Sequence, residues 1–175
     1  GLGRIGSSLA RKSCALGMDV FFYDPFINDG YDKVMDIKKV DEIYELARIC
    51  DIISLHIPYS KKNHNFINEN FFKKIKKKII FINVSRGGLV SSKALAKYYG
   101  SKISGIGLDV FDEEPPSLKD PLIKLWTKKQ NQGKIILSPH SAFYSYESVI
   151  ELRSKASNTL KNFITKRILS NCVNK

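Results

Sequence analysis

Apolar and polar positions alternate in blocks along the chain, and the block lengths predict a regular succession of elements. Residues 4–17 space Ile5, Leu9, Ala10 and Leu16 on or near one face, which predicts a helix. "GMDVFFYD" predicts a strand ending at Asp24, and residues 40–49 predict a short helix. "DIISLHIP" reads as a buried strand stopped by Pro58, residues 68–75 as a helix and "KIIFINVS" as a strand. "SSKALAKYYG" predicts a helix capped by Ser91 or Ser92 and stopped by Gly100. "KISGIGLDV" and "KIILSP" are two more strands, separated by a loop from Asp112 to Gly133 that carries three prolines. Residues 145–167 predict a long amphipathic helix whose Val149, Leu152, Ala156, Leu160, Phe163 and Ile164 are spaced to face a core.

Strands that alternate with helices imply an α/β fold, a doubly wound parallel sheet covered on both sides. The 175 residues suffice for one domain with a real core, and 43% apolar content suits a soluble, globular chain. No apolar run approaches the roughly 18 residues of a membrane span. Cys14, Cys50 and Cys172 are scattered and lack metal-ligand spacing, so they read as free thiols in a reducing compartment and no metal is expected. The net charge is +12, but the lysines are spread along the chain and no nucleic-acid motif accompanies them. Direct nucleic-acid binding is therefore not expected.

Three stretches change the picture. "GLGRIG" opens the chain, a helix pattern begins inside it, and Asp24 closes the following strand pattern 18 positions after Gly6. That is the fingerprint of a dinucleotide loop. Gly1 permits the tight turn, Gly3 the approach of a pyrophosphate, and Gly6 close packing of the helix on the sheet. The helix start offers unpaired N–H groups to phosphate. Asp24 can accept hydrogen bonds from both adenosine ribose hydroxyls and repels a 2′-phosphate, so NAD is expected over NADP. A strand normally precedes such a loop and lies in the middle of the sheet. The expectation is a fragment cut at or near Gly1. "NVSRGGLV", "LDVFDEEPP" and "SPHSAFY" then place Arg86, Asp109, Glu114 and His140 at or just beyond strand ends, where parallel sheets bind ligands. An Arg at a buried strand end is costly unless it meets an anion.

With "YDPF", these stretches resemble the NAD-binding domain of the D-isomer-specific 2-hydroxyacid dehydrogenases over nearly the whole chain. The resemblance implies a catalytic set of Arg86, Glu114 and His140. It implies NAD(H) contacts at Gly1, Gly3, Arg4, Ile5, Gly6, Asp24, Pro58, Asn63, Val84, Ser85, Arg86, Asp109, His140 and Phe143. The residue types suit reduction of a small 2-keto acid. A guanidinium can hold the carboxylate, an imidazolium can give the keto oxygen a proton, and a carboxylate beside the ring orients it and favours its charged form.

"FYDPF", "NHNFIN", "AFYS" and the terminal "NCVNK" also resemble the C-terminal binding proteins, corepressors that keep this fold. They usually carry Trp three residues after the His, where this chain has Phe143. This finer resemblance implies an NAD(H)-binding corepressor with a retained dehydrogenase site. It implies a homodimer through the NAD-binding domain and docking to transcription repressors and chromatin-modifying enzymes. The location would be the nucleus, with the cytoplasm as a second site. The alternative is a metabolic NAD-dependent D-2-hydroxyacid dehydrogenase. Residues 1–145 are expected to form the NAD-binding domain without its first strand. Residues 146–175 are expected to be a helix and tail returning to a substrate domain that the fragment lacks.

Overall fold

The structure is a computed structural model and describes residues 1–170 and 172. Residues 1–140 form one compact unit, and the chain from Ser141 onward forms a second.

The first unit alternates helix and strand as its sequence pattern predicts. It runs α1 (Arg4–Ala15), β1 (Phe21–Phe22), α2 (Tyr31–Met35), β2 (Lys38–Lys39), α3 (Ile43–Ile49), β3 (Ile52–Leu55) and α4 (Glu69–Lys74). It continues with β4 (Ile79–Asn83), α5 (Ser92–Tyr98), β5 (Ile103–Leu108), α6 (Pro121–Trp126) and β6 (Ile135–Leu137). Strands β3-β4-β5-β6 pair in that order, all parallel, while β1 and β2 pair as a separate parallel ribbon. This is the Rossmann-like α/β architecture expected.

Side-chain chemistry starts several of the helices. Glu42 and Glu45 close a capping box on α3. Asn68 caps α4 through the Asn70 amide, and Ser91 caps α5 through the Ala94 amide. The main core lies on one face of the four-stranded sheet. Ile53, Ile79, Phe81, Ile103 and Ile106 pack there with Phe71 and Phe72 of α4, Leu95 of α5 and Leu122 of α6. A smaller cluster joins Leu2, Ala10, Phe22 and Ile37.

Several sequence expectations need correction. The strands are not buried on both faces, because Ile52, Ile80 and Ile136, which alternate with the core positions, are exposed. On α1 only Gly6 and Ala10 are buried, and Ile5, Leu9 and Leu16 are exposed. The strand predicted up to Asp24 shortens to Phe21–Phe22, the span that finds a partner in β2. The loop after Asp112 contains α6, where Asp120 caps and Pro121 occupies the first turn. That proline favours a helix start, since its missing N–H would have no helical partner there.

In the second unit, α7 (Tyr146–Lys166) is capped by Ser145 through the Ser148 amide. None of its residues is buried, so the predicted face does not lie in a core: Leu152, Leu160, Phe163 and Ile164 are exposed. The "NCVNK" tail, apart from Cys172, lies outside the described residues.

Candidate active site

The glycine loop and the end of β1 build one side of the site. The first helical bond of α1 runs from the Ser7 amide to the Gly3 carbonyl at 2.9 Å, and no side chain caps the helix start. The amides ahead of Ser7 are thus the unpaired donors of a 12-residue helix, suited to a phosphate. A side chain at Gly3 would stand in open space, so the backbone here is bare toward an approaching anion. A Cβ at Gly6 would lie 2.1 Å from the Gly1 carbonyl oxygen, which only glycine permits. The close approach that requires Gly6 is thus to its own loop rather than to the sheet. Arg4 and Ile5 are exposed on the first turn.

Asp24 is half-buried and already anchored. Its Oδ2 accepts from the Leu2 amide at 2.8 Å and its Oδ1 from the Phe26 amide at 3.0 Å. A carboxylate offers about four acceptor positions, so each oxygen keeps capacity for a ribose hydroxyl. The loop, the bare helix start and this acidic acceptor together fit a dinucleotide without a 2′-phosphate.

The other side is built at the ends of β4, β5 and β6. Asn83, only 1% exposed, ends β4 and shapes the turn after it. Its Oδ1 accepts from the Ser85 amide at 3.0 Å and from the Ser85 hydroxyl at 2.7 Å, and its Nδ2 donates to the Arg86 carbonyl at 2.9 Å. This turn holds Arg86, whose Nη1 also donates to the Ser85 carbonyl at 2.6 Å. Arg86 is exposed, so the burial cost expected of it does not arise. Val84 is half-buried between these groups. A Cβ on Gly87 would fall 1.8 Å from the Phe111 carbonyl carbon. The absence of a side chain lets the Arg86 turn sit directly on the loop after β5.

Asp109 is 3% exposed and ties two strands together. Its amide donates to the Asn83 carbonyl at 3.0 Å, and its Oδ1 accepts from the Ser138 hydroxyl at 2.6 Å. Beyond it, Glu114 accepts the Phe111 amide on Oε1 at 3.0 Å and meets His140 Nδ1 with Oε2 at 2.8 Å. These bonds, His140 first and the Phe111 amide second, hold the Glu114 carboxyl below its ordinary range. His140 itself has a left-handed backbone, φ 51°, a conformation uncommon for a residue other than glycine. Arg86, Glu114 and His140 line one cavity of about 330 Å³ together with Tyr59, Gly87, Gly88, Phe111 and Asp112.

Pro58 and Asn63 belong to the loop after β3. Asn63 closes that loop on itself, donating to the Pro58 carbonyl at 2.8 Å and accepting from the Ser60 amide at 2.7 Å. Phe143 lies in the second unit, its ring edge-on to Tyr144. Asn83, Ser138 and Tyr59 were not singled out in the sequence, and His64 stood out only within the "NHNFIN" stretch. Asn83 and Ser138 do their work through turn geometry and through Asp109, and neither leaves a motif. Tyr59, directly after Pro58, was the one within reach. Among the described residues no group of His, Cys, Asp and Glu could hold a metal ion, and no helix is long and apolar enough to cross a membrane.

Comparison with known proteins gives a consistent set. The model of the family described as D-isomer specific 2-hydroxyacid dehydrogenase, NAD binding domain, matches residues 1–142. The chain is 33% identical to a glyoxylate reductase of Korarchaeum cryptofilum, covering 99% of the chain and 50% of that protein. It is also 33% identical to a D-3-phosphoglycerate dehydrogenase of Methanocaldococcus jannaschii, covering 99% of the chain and 32% of that protein. Among solved structures, the D-lactate dehydrogenase of Aquifex aeolicus complexed with NAD and lactic acid superposes with a TM-score of 0.82 at 32% identity. That match covers 94% of this chain and 51% of the other. The chain thus spans half or less of the curated relatives it matches.

Proposed function

The chain belongs to the D-isomer-specific 2-hydroxyacid dehydrogenases through their NAD-binding domain, and from that premise we propose that it is the cofactor half of a metabolic NAD-dependent enzyme that reduces a small 2-keto acid. The relatives reported above are named as metabolic dehydrogenases and reductases. They favour this reading over the corepressor expected from the finer resemblance, part of whose support lay in a tail outside the described residues. A homodimer through this domain remains part of the proposal; docking to transcription repressors does not.

The observation that carries the proposal is the convergence of Arg86 and a carboxylate-paired His140 on one cavity. Bound NADH supplies the hydride. The α1 start receives its pyrophosphate and Asp24 its adenosine ribose. Arg86, exposed into the cavity, pairs with the substrate carboxylate and so fixes where the 2-carbonyl lies. Glu114 engages and orients the His140 ring through Nδ1, and Nε2 is the nitrogen assigned to deliver a proton to the carbonyl oxygen in reduction and to take it back in oxidation. The Phe111 amide holds Glu114 in place, so the pair is set by backbone as well as by side chain.

The test is loss of NADH absorbance at 340 nm on adding glyoxylate, pyruvate or a longer 2-keto acid to the intact protein. Turnover with any of them, and a D-configured product, is the expected result. No turnover, together with retention on an immobilised repressor peptide, would return the corepressor reading to first place.

A further inference from the structure

We propose that Tyr59 sets the size of substrate this site accepts, a step that rests on the dehydrogenase reading above and makes it more specific. The polar groups of the cavity have tasks: Arg86 takes the carboxylate and His140 the keto oxygen. The substituent on the third carbon then meets the remaining lining, to which the described residues contribute the side chains of Tyr59, Phe111, Asp112 and Glu114. Glu114 is engaged with His140. The apolar wall that this half of the enzyme offers a carbon substituent is therefore the two aromatic rings.

Tyr59 is held in place from two directions. Its ring lies directly on the Gly88 backbone, since a Cβ at Gly88 would come within 2.7 Å of the ring edge. Its hydroxyl is 3.3 Å from His64 Nδ1, and the two rings meet edge-on with centroids 6.1 Å apart. Asp112 adds its carboxylate close by, with Oδ1 2.9 Å from that same Gly88 Cβ position and 4.0 Å from His64 Nδ1. A seated ring narrows the cavity, and the neighbouring carboxylate repels a second negative charge. The class of substrate that fits is a 2-keto acid with a short, uncharged side chain.

The experiment compares kcat/KM for pyruvate, 4-methyl-2-oxopentanoate and phenylpyruvate in the intact protein and in Tyr59→Ala, Tyr59→Leu and Tyr59→Phe. Each carbon of misfit in an apolar pocket shifts discrimination by about tenfold or more. Tyr59→Ala should raise the bulky-to-small ratio at least tenfold and Tyr59→Leu by less. Tyr59→Phe should leave it near the parent value, since the ring does the excluding. NADH affinity should stay within twofold throughout. An unchanged ratio in Tyr59→Ala overturns the inference. So does a tenfold loss of NADH affinity with the ratio intact, which would assign the ring to the cofactor. A parent protein that reduces none of the three acids overturns the dehydrogenase reading itself, and the two failures are distinct.

Discussion

At the scale of single residues, the proposed site divides into groups assigned to the substrate and groups that hold them. Arg86→Gln and His140→Gln should each lower kcat for 2-keto acid reduction by about 10²–10⁴-fold, the usual share of a general acid or a positioned charge. Neither should change NADH binding, read by fluorescence titration. Glu114 makes a pH prediction with a definite sign. Its carboxyl is held below 4.5 by the bonds to His140 and the Phe111 amide, so its contribution to stability is full above that value. It is lost as pH falls through the lower, folded-state value. A carbon-13 titration of the carboxyl should show a midpoint below 4.5, and an ordinary glutamate midpoint would refute the pairing. Arg86, Glu114 and His140 could be placed at strand ends from the sequence, and the structure brings all three to one cavity. Asn83 was not legible in the sequence. Its side chain serves the backbone of the next three residues, and nothing in "NVSR" separates that role from an ordinary strand end.

At the scale of elements, periodicity revealed what is long and repetitive, and it missed part of what is short. Strands β3 to β6 fall inside the apolar runs that predict them. Helices α2 and α6, of five and six residues, were not predicted, although α4 is no longer than α6. In α6 the prolines around it masked a favourable start. The caps were more informative than the runs. Ser91 or Ser92 was predicted, and it is Ser91 that accepts the Ala94 amide at 3.2 Å. Ser91→Ala should therefore destabilise the protein by about 1 kcal/mol, measured as a lower urea midpoint at unchanged slope. No change would show that α5 does not depend on its cap.

At the scale of the whole molecule, two sequence signals point outward rather than inward. The apolar stripe of α7 was legible, but a 3.6-residue period reports only that a face is apolar and not what covers it. The charge of +12 is similarly real and similarly unspecific. Some of the basic side chains are paired locally, as where Lys39 meets Asp29 at 2.8 Å and Lys97 meets Glu69 at 2.8 Å, and the net excess is spread along the chain. Any attraction to duplex DNA should therefore be weak and sequence-independent, and should disappear between about 50 and 200 mM salt. Binding that survives 200 mM salt in a filter or polarisation assay would demand a dedicated nucleic-acid surface.

Anyone retargeting this domain to the phosphorylated cofactor would begin at Asp24, and its two backbone bonds make that a poor single step. Replacing it with Ala should admit NADPH and weaken NADH, but it also unties the Leu2 amide and with it the glycine loop. Part of the lost affinity would then be common to both cofactors. A short neutral acceptor such as Ser or Asn, introduced together with a cation nearby, would change the cofactor preference while keeping the loop fastened.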